Sequence, residues 1–201
     1  MRSQNHLRSA RSVLACMEVE TQNSKLETEL VSRAQRIKLL LVDCDGVLTD
    51  GRLWLTPEGD EQKAFHARDG QGISVWHRAG YQSGIISGRA SGAVERRAHE
   101  LKMKYVHQYA KNTVVALEEI IDEAGVTVDE CCFIGDDLGD IAVMRRVGLA
   151  VAVADAAEET KAAAHYVSKL KGGKGAVREV VELILKAQKR WDELIAQVTT
   201  H

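Results

Sequence analysis

The chain has 201 residues, 45% of them hydrophobic and 28% charged, which is the composition of one globular domain; no apolar run approaches the roughly 20 residues that cross a bilayer, so a membrane-spanning protein is excluded. Lys and Arg number 27 against 29 Asp and Glu, and a formal charge of -2 offers no broad basic field for nucleic acid. The four cysteines, Cys16, Cys44, Cys131 and Cys132, show neither a CxxC pair nor the density of a disulfide scaffold, so they read as reduced thiols of a cytoplasmic protein.

In chain order, residues 1–25 are expected to form a mobile extension, and residues 26–201 a single domain. Five apolar residues, Val13 to Met17, are too few for the core of an export signal. A short helix over Leu26 to Gln35 precedes the apolar run from Ile37 to Val42, whose continuity predicts a strand buried on both faces. Arg52 to Leu55 and Glu61 to Phe65 flank Thr56-Pro57-Glu58-Gly59-Asp60, a turn signal that predicts a hairpin. Helical spacing follows from Ile73 to Ala79, then a strand at Gln82 to Ile86. Further helices are predicted over Ser91 to Leu101, Val114 to Ala124, Glu158 to Ala164 and Ala176 to Leu194, and further strands over Lys104 to His107, Cys131 to Ile134 and Leu149 to Val153. Such alternation specifies an α/β fold, Rossmann-like, with a central parallel sheet between two helical layers.

In that architecture ligands sit where loops leave the carboxyl ends of the strands. Those positions carry Asp43, Asp45 and Asp50 after the first strand, Ser87 and Arg89 after the second, and Asp136, Asp137 and Asp140 after the fourth. Unit charges about 4 Å apart repel by roughly 4 kcal/mol at an effective dielectric near 20, so the carboxylates must take up protons or bind a cation. Oxygen-only ligands favour Mg²⁺. A carboxylate beside a metal can attack phosphorus, a second can serve the leaving oxygen, and a hydroxyl can hold the phosphoryl group, which together make phosphate-ester hydrolysis.

Asp43-Cys44-Asp45-Gly46-Val47-Leu48-Thr49-Asp50-Gly51, Ile86-Ser87-Gly88-Arg89 and Gly135-Asp136-Asp137-Leu138-Gly139-Asp140 resemble the first, second and fourth motifs of haloacid dehalogenase-type phosphatases. Within that superfamily, the segments from Phe65 to Ile73, Val153 to Ala156 and Gly172 to Glu179 resemble the 3-deoxy-D-manno-octulosonate 8-phosphate phosphatase family, which acts in lipopolysaccharide precursor synthesis. The resemblance implies Asp43 as nucleophile, Asp45 as acid and base, and Ser87 as a phosphoryl ligand. It implies Mg²⁺ on Asp43, Asp45 (through its backbone carbonyl), Asp136 and Asp137, with Asp140 as a further ligand or orienting group. Substrate contacts fall on Thr49, Gly88, Arg89, Lys174 and Arg178. The substrate class is a small sugar acid phosphate, and the assembly a homotetramer in which neighbours complete each site.

One departure stands out. The family's third motif places a lysine where this chain has Thr113, and Lys111, two residues earlier, is expected to substitute; Tyr109 occupies a usual glycine position. That departure keeps a second reading open, a catalytically weakened homologue acting as an oligomeric binding or regulatory module, beside a related nonulosonate 9-phosphate phosphatase. Only 41 residues separate Asp45 from Ser87 and 22 separate Thr113 from Asp136, which leaves no room for a cap domain. The hairpin and the Gly172 to Gly175 segment are expected to reach a neighbouring subunit. The latter does not match the nucleotide P-loop pattern. His66 and His107 lack partners at metal-ligand spacing, Trp54 and Trp76 read as core or interface residues, and Cys131 and Cys132 as packing residues. The anions beside Cys44 disfavour its thiolate.

Overall fold

The structure, a computed structural model, describes residues 25–57 and 61–199. The expected N-terminal extension, all but Lys25, and the turn residues Glu58, Gly59 and Asp60 lie outside the described residues. After a helix over residues 25–36 (α1) comes β1, Leu39–Val42, with every side chain buried. Apolar side chains on both faces demand cover on both faces, and this strand becomes the middle of a six-stranded parallel sheet in the order β5-β4-β1-β6-β7-β8. Its neighbours are β4, Gln82–Ile86, and β6, Cys131–Gly135, while β5, Tyr105–His107, β7, Leu149–Ala152, and β8, Tyr166–Val167, complete the sheet. Two short strands, β2, Trp54–Leu55, and β3, Glu61–Gln62, form a separate antiparallel pair.

Crossovers through α2, Ala67–Arg78, and α3, Gly92–Glu100, run one way along the sheet, and those through α4, Thr113–Ala124, α5, Ile141–Met144, and α6, Glu158–Ala163, run the other. Right-handed crossovers in opposite directions place their helices on opposite faces. The first face is finished by α7, Ala176–Ala187, which packs along α2. Asp69, buried on α2, ties the pair together, because its carboxylate accepts hydrogen bonds from the Gly175 and Arg178 N–H groups at 3.1 and 2.9 Å and so caps α7 from another element. The direction of the chain reverses at β1, between β4 and β6, and that reversal opens a crevice at the carboxyl end of the sheet.

Two expectations are corrected. The last helix is two, α7 and α8, Trp191–Thr199. Lys189 adopts φ +58°, Lys189 N–H donates to Lys186 C=O and Arg190 N–H to Leu185 C=O, a Schellman stop with lysine where glycine is usual. The helix expected from Ile73 begins at Ala67, across Gly70 and Gly72. Trp76 is fully buried, but Trp54 is 58% exposed with Leu53 and Leu55 beside it.

Candidate active site

Asp43 follows β1 directly, its N–H donating to Ile134 C=O of the neighbouring strand at 2.9 Å. The chain then turns tightly through Cys44–Leu48, with Gly46 at φ +97°. A Cβ on Gly46 would stand 2.0 Å from Asp136 Oδ2, so glycine is what lets the turns after β1 and β6 meet. Thr49 Oγ1 locks the turn, donating to Cys44 C=O at 3.3 Å and accepting from the Gly51 N–H at 3.2 Å. At 1% exposure its side chain braces the loop.

The structure brings Asp43, Asp136 and Asp140 together, each offering a carboxylate oxygen within 4.8 Å of the others. Asp137, expected in the metal set, is exposed and caps the following turn, accepting from Leu138 N–H at 2.8 Å. Asp140 takes its place in the cluster, oriented by the N–H groups of Asp136 at 2.8 Å and Asp137 at 3.2 Å. The Asp45 side chain is not part of the cluster; it pairs with Lys63 and Arg89.

Burial, then the charge of Asp140, drives the Asp43 carboxyl well above the usual range. Asp136 is pushed up to about 7 by burial, followed by Asp140 and Asp137, and Asp140 to about 6, again chiefly by burial. Three partly or wholly buried carboxylates without a counter-charge are unstable as anions, and an all-oxygen set of this size fits a hard divalent cation. Cys44 is pushed up by burial and then by Asp45 and Asp43, so its thiol is no nucleophile.

A cavity of about 370 Å³ lies over the cluster, lined by Asp43, Asp45, Ser87, Gly88, Arg89 and Lys111, with Thr113 at its wall. Ser87 is buried and held in the sheet, its N–H donating to His107 C=O at 2.9 Å. Lys111 is exposed on the β5 to α4 loop and makes no ion pair among the described residues. Lys174 and Arg178 are not brought to this cavity. The Lys174 ammonium lies 3.9 Å from Asp50 Oδ2, with the side chain 60% exposed, and the Arg178 guanidinium sits over Trp191, 4.9 Å from the ring centroid. The start of the Gly172 to Gly175 segment packs on the chain's own turn after β1. Gly173 N–H donates to Val47 C=O at 2.9 Å, and Gly172 N–H to Asp155 Oδ1 at 3.0 Å.

Sequence reasoning missed Glu61 and Lys63. Lys63 pairs with Asp45 and, at 3.2 Å, with Glu61, which is also 3.0 Å from Arg89 Nη2. Burial works to lower the Lys63 ammonium, but the hydrogen bonds to Asp45 and Glu61 outweigh it and hold the group above its ordinary value. For Glu61, burial is outweighed by Lys63 and Arg89, and the carboxyl is lowered. A strand of two residues has no periodicity to read, so nothing in the sequence pointed to this pairing.

A parallel sheet with acidic turns after β1 and β6 and a hydroxyl after β4 defines a haloacid dehalogenase-like hydrolase, and the haloacid dehalogenase-like hydrolase family matches residues 106–180. The 3-deoxy-D-manno-octulosonate 8-phosphate phosphatase of Yersinia pestis is 41% identical over 170 residues, 85% of this chain and 91% of the relative; that of Escherichia coli (strain K12) is 38% identical over 172 residues, 86% and 92%. The Moraxella catarrhalis phosphatase of the same name, solved in complex with a magnesium ion, a phosphate ion and a KDO molecule, superposes with a TM-score of 0.82 at 40% identity, over 85% of this chain and 98% of that one. A cobalt-bound form of the Haemophilus influenzae enzyme gives a TM-score of 0.80 at 36% identity, over 84% and 99%. This chain belongs to the 3-deoxy-D-manno-octulosonate 8-phosphate phosphatase family. Among the described residues no helix is long and apolar enough to cross a membrane.

Proposed function

We propose that this protein hydrolyses the phosphate monoester of 3-deoxy-D-manno-octulosonate 8-phosphate to the free sugar acid and phosphate, with Mg²⁺ as cofactor. The observation that carries the reading is the convergence of Asp43, Asp136 and Asp140 within 4.8 Å in the lining of a cavity that Ser87 and Lys111 also line. Those three carboxylates, with the Asp45 carbonyl, would hold Mg²⁺, which supplies positive charge against the attacking carboxylate and the phosphoryl oxygens.

In the first half-reaction an Asp43 oxygen forms a bond to phosphorus as the ester P–O bond breaks, and the departing sugar oxygen takes a proton from Asp45. In the second, a water oxygen attacks phosphorus, its proton passes to Asp45, and the Asp43–phosphorus bond breaks to release phosphate. Ser87 and the Gly88 backbone receive the phosphoryl oxygens, Lys111 meets their charge in place of the third-motif lysine, and Arg89 contacts the substrate. Lys174 and Arg178 contribute only if a neighbouring copy presents them. The exposed Leu53, Trp54 and Leu55 on the hairpin support burial against another copy, as in a homotetramer. Cytoplasmic location follows from the reduced cysteines and the substrate class.

Phosphate release over a panel of sugar phosphates that includes a nonulosonate 9-phosphate, with and without Mg²⁺, tests the reading. The expected result is Mg²⁺-dependent release with the octulosonate ester preferred. Preference for the nine-carbon ester would reassign the substrate. No release from any ester would favour the binding-module reading that Thr113 keeps open.

A further inference from the structure

Lys63 lies just past β3, and its side chain is 1% exposed. Lysine is almost never so buried unless it is paired, and here the ammonium is held between Asp45 Oδ1 and Glu61 Oε1. Arg89 closes the ring, with Nη2 3.0 Å from Glu61 Oε1 and Nε 3.3 Å from Asp45 Oδ2. Two basic and two acidic side chains alternate around the ring. The two oxygens of Asp45 are unequal. Oδ1 is taken by Lys63, whereas Oδ2 is buried and without a hydrogen-bond partner, Arg89 Nε standing at ion-pair distance but outside hydrogen-bond geometry. Arg89 is half exposed, but Lys63 and its two carboxylate partners are largely buried, and a buried ion pair is a poor device for stability alone, since apolar side chains of similar volume do as well or better. An acceptor left without a partner is costly unless something comes to it.

We propose that Lys63 is a positioning residue for the reaction: it fixes Asp45 through Oδ1 and so leaves Oδ2 as the oxygen that gives its proton to the leaving group and later takes one from water. The proposal rests on the reading of Asp45 as acid and base. It assigns a role to the hairpin within its own chain. It also separates two cationic tasks: Lys63 orients the proton carrier, and Lys111 faces the phosphoryl group.

Leaving-group dependence tests this. Single-turnover rates of leaving-group release are measured in the wild type and in Lys63→Met for an alkyl ester and for nitrophenyl phosphate, whose phenolate departs without a proton. The alkyl ester is the sugar acid phosphate or, where the wild type does not cleave it, glycerol phosphate, so a wrong substrate is told apart from a wrong role. General acid catalysis is worth about 10²-fold or more, so the alkyl rate is expected to fall by about that factor, the aryl rate by less than about threefold, and KM to stay unchanged. Equal losses on both esters would reduce Lys63 to a structural part and overturn the proposal, as would an undiminished alkyl rate. If circular dichroism shows that Lys63→Met does not fold, Lys63→Gln carries the same comparison. A wild type inert to every ester overturns both the function and this role.

Discussion

Gly172 and Gly46 lie back to back: a Cβ built on Gly172 would stand 1.6 Å from the Gly46 carbonyl oxygen. The obstructing atom is backbone, one residue past Asp45, and it cannot step aside without moving the turn that carries Asp43 and Asp45. Gly172→Ala is therefore expected to destabilise the protein by about 1–3 kcal/mol, the usual cost of overpacking, and to cut kcat by about 10²-fold through displacement of the reacting groups. Gly92→Ala, where nothing lies within 4 Å, should leave the melting temperature unchanged or slightly raised. Thermal melts and steady-state kinetics of the two variants check this, and equal behaviour would contradict the bracing role.

A divalent ion on the carboxylate cluster should stabilise the fold by mass action. At 100 times its Kd, Mg²⁺ adds about 2.7 kcal/mol, or roughly 5–10 °C in a domain of this size. Removal by a chelator should reverse the rise, and Asp136→Asn or Asp140→Asn should abolish it. A rise that survives both substitutions would place the ion elsewhere.

His165 gives an acid limb to the stability. Its Nδ1 accepts a hydrogen bond from the Ala150 N–H at 2.9 Å, which requires the neutral ring, and burial first, then Arg33, lowers its pKa from 6.5, with only Glu29 opposing. His77, beside Ser83, is lowered chiefly by burial as well. A histidine whose folded pKa is depressed binds fewer protons in the folded state, so its contribution is complete above pH 6.5 and is lost as pH falls from 6.5 toward the folded value. His165→Asn, which keeps an acceptor but does not titrate, should flatten the decline in denaturant midpoint below pH 6.5. An unchanged slope would show that His165 is not its source.

The middle of the sheet was legible because β1, β6 and β7 are buried throughout and read as apolar runs; β4, polar at its start, was still predicted with its observed ends, Gln82 and Ile86. Elements set by tertiary contact were not. Residues 67–72 carry two glycines and no apolar spacing, yet they form the first turns of α2, because Asp69 is fixed by the Gly175 and Arg178 amides and Gly72 lies against the Arg178 backbone. The stop at Lys189 has neither glycine nor proline to announce it, and β8 is too short to show a pattern. In the site, the aspartates and Ser87 were found from their positions after strands. Glu61 and Lys63 were not found, because a hairpin's position over a crevice is set by packing and not by local spacing. Arg178 illustrates the converse: a basic residue in a family-like motif whose side chain stacks on Trp191, away from the cavity.

The most direct test of the account is phosphate transfer to Asp43. Rapid quenching of the Mg²⁺-loaded protein with labelled substrate should trap one acid-stable, hydroxylamine-labile phosphoryl group per chain on the peptide containing Asp43, and Asp43→Asn should trap none and lose about 10³-fold or more in turnover. Turnover by Asp43→Asn at the wild-type rate, or a label found on another residue, would contradict it.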